Sequence, residues 1–157
     1  MTHSTESLLL FVKKACPTCE MIEPIVAELS ASDPPLTVYC QDDPSFPDGA
    51  EPVVYDESLE ISWRWNIETV PTLIRVEGGQ EAKRLLGWHR EEWRNLTGLN
   101  QLGESLPDFR PGCGALNVEP AKARELDGRF GHSRLSARQI EIPELSDEME
   151  VCFERGW

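Results

Sequence analysis

The chain has 157 residues, 39% hydrophobic and 27% charged, which suits one soluble domain with a real core plus an appendage. A net charge of −13, from 28 acidic and 15 basic residues, works against nucleic acid and anionic membranes, which are bound through clustered Lys and Arg. No apolar run approaches the ~20 residues that span a bilayer. The polar residues 1–7 also lack the basic region of a signal peptide, so the cytoplasm is the expected compartment.

Residues 7–12 (Ser-Leu-Leu-Leu-Phe-Val) form a short apolar run that reads as a buried strand. After Cys16 the pattern turns helical, with Met21, Ile22, Ile25, Val26 and Leu29 on one face, until Asp33-Pro34-Pro35 stops it. Residues 36–40 alternate as a strand, and an acidic, proline-rich stretch over about 41–52 reads as an inserted loop. Residues 53–55 resume a strand, and 59–65 suggest a short helix. Residues 72–76 and 82–87, joined through Gly78-Gly79, predict a hairpin. A last helix is expected over 88–97, with His89 as its cap and Gly98 as its C-terminal stop. This order predicts an α/β domain over 1–98, a central mixed sheet flanked by helices.

From 99 to 157 the signals weaken into an irregular extension, expected to pack on the core or lie partly disordered. Helical turns are expected over 121–126 and 144–153. Because the chain stops just past the second of these, it reads as the front part of a longer architecture.

Five cysteines include one close pair, Cys16-Pro17-Thr18-Cys19, placed where a buried strand hands over to a helix start. A thiolate is the nucleophile in disulfide exchange, and a helix N-terminus together with this spacing lowers a cysteine pKa from about 8.5 into a range of about 3.5–7.5. Lys13 and Lys14 would add to this if they turned toward the sulfur. Cys19, one turn behind, is within disulfide reach. Cys16 is therefore the expected attacking thiol and Cys19 the resolving one. The competing reading is half of a zinc site, but His89, His132, Cys113 and Cys152 are scattered, so no metal is expected.

Cys16-Pro17-Thr18-Cys19-Glu20-Met21-Ile22-Glu23-Pro24-Ile25 resembles the active-site helix of thioredoxins, including the helix-kinking proline at Pro24. Trp65-Asn66-Ile67-Glu68-Thr69-Val70-Pro71-Thr72 is similar to the family's segment ending in a cis proline opposite the redox pair. Glu77-Gly78-Gly79 with Leu86-Gly87 matches its terminal hairpin. The resemblance spans residues 7–98. It implies a thioredoxin-like fold with a minimal core, a cis Val70-Pro71 bond, and substrate pairing with the backbone there. It makes Val70, Pro71, Thr72, Pro17, Thr18 and Trp88 candidate substrate contacts. The chain departs from the family at Ala15, where an aromatic is usual, and at Leu10, where thioredoxins bury a carboxylate. The leading strand and helix are also missing. The Pro-Thr dipeptide looks more like glutaredoxins, although no glutathione-binding pattern accompanies it.

The expected function is thiol–disulfide oxidoreduction on protein or low-molecular-weight disulfides, without metal or organic cofactor. A separate reductase or thiol pool would supply electrons. The alternative is a thioredoxin-fold binding or accessory module serving a downstream or partner catalytic domain. Cys113, within Arg110-Pro111-Gly112-Cys113-Gly114, reads either as a third, accessory redox cysteine or as an incidental accessible thiol, the second being favoured. Cys40 and Cys152 read as packing residues, and His132 as an exposed loop residue.

Overall fold

A computed structural model describes residues 6–130. The helix expected over 144–153, His132 and Cys152 lie outside these residues. In chain order the elements are β1 (Glu6–Val12), α1 (Pro17–Ser30), β2 (Leu36–Cys40), β3 (Val53–Tyr55) and α2 (Glu60–Arg64). They continue with β4 (Thr69–Val70), β5 (Thr72–Glu77), β6 (Gln80–Leu86), β7 (Trp88–His89) and α3 (Arg90–Thr97). The chain then runs through β8 (Phe109–Arg110), β9 (Cys113–Gly114) and α4 (Pro120–Phe130).

The main sheet is mixed, with strand order β3-β2-β1-β5-β6. β2 lies parallel to β1 and to β3, whereas β5 is antiparallel to β1 and to β6. Central β1 is buried without alternation from Leu8 to Val12, as a strand covered on both faces must be. Truncating one of its sealed side chains, such as Leu10 or Phe11, would cost about 2–5 kcal/mol. Helix α1 turns Ile22, Ile25, Val26 and Leu29 into the same core, which also takes Trp88 and Trp93 in edge-to-face contact.

Among the described residues the expected elements are present, with shifted limits near the end. The last helix begins at Arg90, not at 88, because Trp88 and His89 pair as a strand with Phe109 and Arg110. His89 is its cap, accepting the Glu92 N–H at Nδ1, and Gly98 closes it with a left-handed φ of 78°. The short turn expected over 121–126 is a full helix, α4, whose Leu126 joins Val118 and Trp63 in a second apolar cluster.

The described part of the extension, 99–130, is bound to the core. Leu102 and Ala115 belong to the main core cluster, and the Trp88 indole N–H donates to the Pro107 carbonyl at 2.7 Å. Among the described residues no helix is long and apolar enough to cross a membrane.

Candidate redox site

Cys16 ends the turn after β1 and is the N-cap of α1, with extended backbone (φ −150°) and its Sγ accepting the Cys19 N–H at 3.3 Å. Ser, Thr, Asp or Asn usually fill that role. Here a sulfur does, so the unpaired amides of the first helical turn point at the group that must carry negative charge. Cys16 is lowered to about 6: the Cys19 thiol hydrogen bond acts most strongly, with help from Cys113 and the Cys19 and Thr18 amides, against opposing burial. Cys19 is fully enclosed. Burial first, then the hydrogen bond and charge of Cys16, push its thiol far up. One sulfur of the pair is thus an anion near neutral pH, and the other keeps its proton.

Opposite them, the Val70–Pro71 bond is cis, as the resemblance implied. The Val70 carbonyl oxygen lies 3.6 Å from Cys16 Sγ, and Thr72 is buried with its hydroxyl donating to the Thr69 carbonyl. Pro17 is exposed and Thr18 is buried. Trp88 departs from its expected place along a substrate groove. It is fully buried, packed edge-on against Trp93 beneath the 107–110 segment, and so has no free face for a ligand. Of the two lysines, Lys14 pairs with Asp43 at 3.7 Å, whereas Lys13 turns toward the site, donating to the Gly114 carbonyl at 2.7 Å with its charge favouring the thiolate of neighbouring Cys113.

Cys113 is held against the pair. Its Sγ lies 2.7 Å from Cys16 Sγ, and β9 pairs antiparallel with β4 in the register Val70 to Cys113 and Thr69 to Gly114. Neighbouring contacts extend the pairing, with Thr18 Oγ1 donating to the Pro111 carbonyl at 2.7 Å and the Ala115 N–H donating to the Glu68 carbonyl at 3.1 Å. Residues 111–115 therefore lie beside β4 and the pair, between Phe109–Arg110 on β7 and Leu116 on Gln41. Cys16 is 1% exposed and Cys19 0%, while Cys113 keeps partial access to solvent.

No protein-family profile matches the chain. Among curated proteins it is 28% identical over 82 residues to thioredoxin H-type 1 of Nicotiana tabacum, covering 52% of this chain and 56% of that one. It is 30% identical over 77 residues to thioredoxin H2-1 of Oryza sativa subsp. japonica, covering 49% and 47%. The chain is thioredoxin-like. It spans about half the length of the curated relatives it matches. Among solved structures, thioredoxin O1 from Arabidopsis thaliana in its oxidized state aligns at 29% identity and a TM-score of 0.43, covering 63% of this chain and 78% of that one.

In this thioredoxin-like core, two positioning residues escaped the sequence reading. Asp42, at the start of the inserted loop, accepts the backbone N–H groups of Lys14 and Ala15 at 2.6 and 3.0 Å and so holds the turn that presents Cys16. Buried Gln41 grips Leu116 from both sides, accepting its N–H at 2.9 Å and donating to its carbonyl at 3.1 Å, and also donates to Ser62 Oγ. The loop also approaches α1, where a Cβ on Gly49 would stand 3.4 Å from the Ala27 side chain and the Asp48 N–H donates to Glu23 at 2.8 Å. An Asp42→Ala variant should lose about 1–2 kcal/mol in chemical denaturation, since it leaves two amides without a charged acceptor. Among the described residues no group of three or more His, Cys, Asp or Glu is placed to hold a metal ion.

The ionisation pattern is directly testable. At pH 7 a thiol of pKa about 6 is about ten-to-one ionised, whereas an ordinary one near 8.5 is ionised only to a few per cent. Ultraviolet thiolate absorbance of the reduced protein should show one step with a midpoint near pH 6. Cys16→Ser should remove that step, and a midpoint above pH 8 in the parent would refute the assignment. Because the folded value lies below the unfolded one, the thiolate stabilises the reduced fold increasingly from about pH 6 up to the ordinary thiol value, and that gain is lost on acidification.

Proposed function

We propose that this chain is a thiol–disulfide oxidoreductase that acts through Cys16 and Cys19. The observation that carries the reading is Cys16 Sγ itself, capping α1, lowered to about 6 and lying beside the Val70 carbonyl. The Cys16 thiolate attacks one sulfur of a substrate disulfide, forms a mixed disulfide and expels the other sulfur as a thiolate. Cys19 then attacks Cys16 Sγ, releases the second substrate thiol and leaves the Cys16–Cys19 disulfide, so two electrons have passed to the substrate. Consumption of the Cys16 charge removes two of the four influences that hold the Cys19 proton, namely the Cys16 hydrogen bond and its charge, and leaves burial and the charge of Cys113. No carboxylate assists, because Leu10 occupies the strand position where thioredoxins carry one, and it is fully buried.

Substrates are protein or low-molecular-weight disulfides, docked along the Thr69–Val70 edge with Pro71, Thr72, Pro17 and Thr18 around them once the Cys113–Gly114 strand that covers this edge and keeps Val70, Thr72 and Thr18 buried has lifted. A separate reductase or thiol pool in the cytoplasm returns the electrons. Insulin reduction with dithiothreitol, thioredoxin reductase or glutathione as donor tests this. Turnover with at least one donor is expected, and inactivity with all three alongside a pair that never oxidises would overturn it. One observation favours a second reading, a binding or accessory module serving a downstream or partner catalytic domain: residues 109–116 already fill the docking edge.

A further inference from the structure

The segment over Cys16 makes the contacts that a docked peptide substrate would make. It runs antiparallel to β4, places a cysteine in register with Val70, and brings that sulfur to 2.7 Å from the nucleophile. It is fastened along its length, by β7 to β8 at one end, by Thr18 and Lys13 in the middle, and by Gln41 at the other. Two glycines make the close approach possible. A Cβ on Gly112 would stand 2.6 Å from the Val70 carbonyl oxygen, and one on Gly87 would stand 2.8 Å from the Gly112 nitrogen. Such a fit is unlike the setting of an incidental surface thiol.

We infer that residues 109–116 are a built-in occupant of the docking edge and that Cys113 is a third redox cysteine, exchanging with the Cys16–Cys19 disulfide to form a Cys16–Cys113 disulfide. This rests on the reading of Cys16 and Cys19 as an exchanging pair. In the step, Cys113 sulfur attacks Cys16 Sγ, the Cys16–Cys19 bond breaks as the Cys16–Cys113 bond forms, and the proton lost by Cys113 ends on Cys19. No net electrons move and no oxidant is consumed. Burial of Cys19 makes it a site that holds the proton firmly. In the resulting disulfide the partly exposed sulfur is Cys113. An external thiol therefore meets Cys113 first, forms a mixed disulfide there, and expels Cys16 as the thiolate of lower pKa, the better leaving group.

The full chain, oxidised with a slight excess of diamide and digested without reduction, would be mapped by mass spectrometry alongside Cys19→Ser and Cys113→Ser variants. Cys19→Ser should give the Cys16–Cys113 cross-link as its main product, the parent a mixture of Cys16–Cys113 and Cys16–Cys19, and Cys113→Ser only Cys16–Cys19. Absence of the cross-link from both parent and Cys19→Ser, with Cys16 found instead in intermolecular disulfides or unmodified, would overturn the inference. Insulin reduction by Cys113→Ser separates the two readings. If it is retained while the parent and Cys19→Ser form no Cys16–Cys113 cross-link, only this inference falls, whereas a parent with neither cross-link nor turnover loses the underlying reading as well.

Discussion

Replacing Cys16 with serine is expected to abolish insulin reduction, a loss of at least about a thousandfold, while leaving the fold intact. The attacking species is a thiolate, and a serine hydroxyl stays protonated at any pH the fold tolerates. Serine is also a good N-cap, so its oxygen can accept the Cys19 N–H that the sulfur accepts now. Stability should therefore change by less than about 1 kcal/mol, which makes activity and folding separable. Cys19→Ala should behave differently. It removes the strongest stabiliser of the Cys16 anion, so the thiolate midpoint should rise from about 6, and with Cys19 gone only Cys113 is placed to release Cys16 from a mixed disulfide. Residual turnover by Cys16→Ser above a few per cent of the parent would show that another sulfur performs the attack.

The second large effect is expected at Gly112. Valine there would drive its Cβ into the Val70 carbonyl and the Thr69 side chain, which lie 2.6 and 2.5 Å from the ideal Cβ position. Overpacking of this kind costs about 1–3 kcal/mol, which corresponds to roughly 5–150-fold in the balance between docked and lifted segment. Native-state alkylation of Cys16 by iodoacetamide should accelerate by about that factor, while the Cys16–Cys113 cross-link in the Cys19→Ser background falls by a similar one. The same cost falls on the folded state, so the denaturation midpoint should also fall, by the equivalent of no more than about 1–3 kcal/mol. An unchanged alkylation rate would mean that the segment is not what shields the sulfur.

Much of the core is legible in the sequence because it is written in local, periodic signals. The unbroken run of β1, the helical spacing after Cys16, the Gly78-Gly79 hairpin and the Gly98 stop each reside within a few residues. Motifs that couple residue type to spacing put Cys16, Cys19 and Pro71 forward as candidates, and the fold brings the pair beside the cis Val70–Pro71 bond. The covering segment was not. Its strands β8 and β9 are two residues each, too short for any alternation to show, and its partners lie far away in the chain. Cys113 finds Cys16 at a separation of 97 residues, Lys13 finds Gly114 at 101 and Gln41 finds Leu116 at 75. Most of those bonds go to the main chain, which carries no residue signature. The cluster Arg110-Pro111-Gly112-Cys113-Gly114 reads as a free loop for the same glycines that let it lie flat on Val70. Trp88 was misplaced because an aromatic next to a motif looks the same in sequence whether it lines a groove or fills a core.

On the proposed reading, the Gln41–Leu116 clasp and the β4 to β9 pairing tether a competitor beside the Cys16 sulfur. A tethered competitor acts at an effective concentration of about millimolar or higher, and it never diffuses away. Any free disulfide peptide that binds through main-chain hydrogen bonds alone must therefore outcompete a local rival with the same bonding. Such a gate rejects weak, generic clients and admits those that bring extra contacts of their own, so selectivity arises from occupancy with no pocket shaped for a particular side chain.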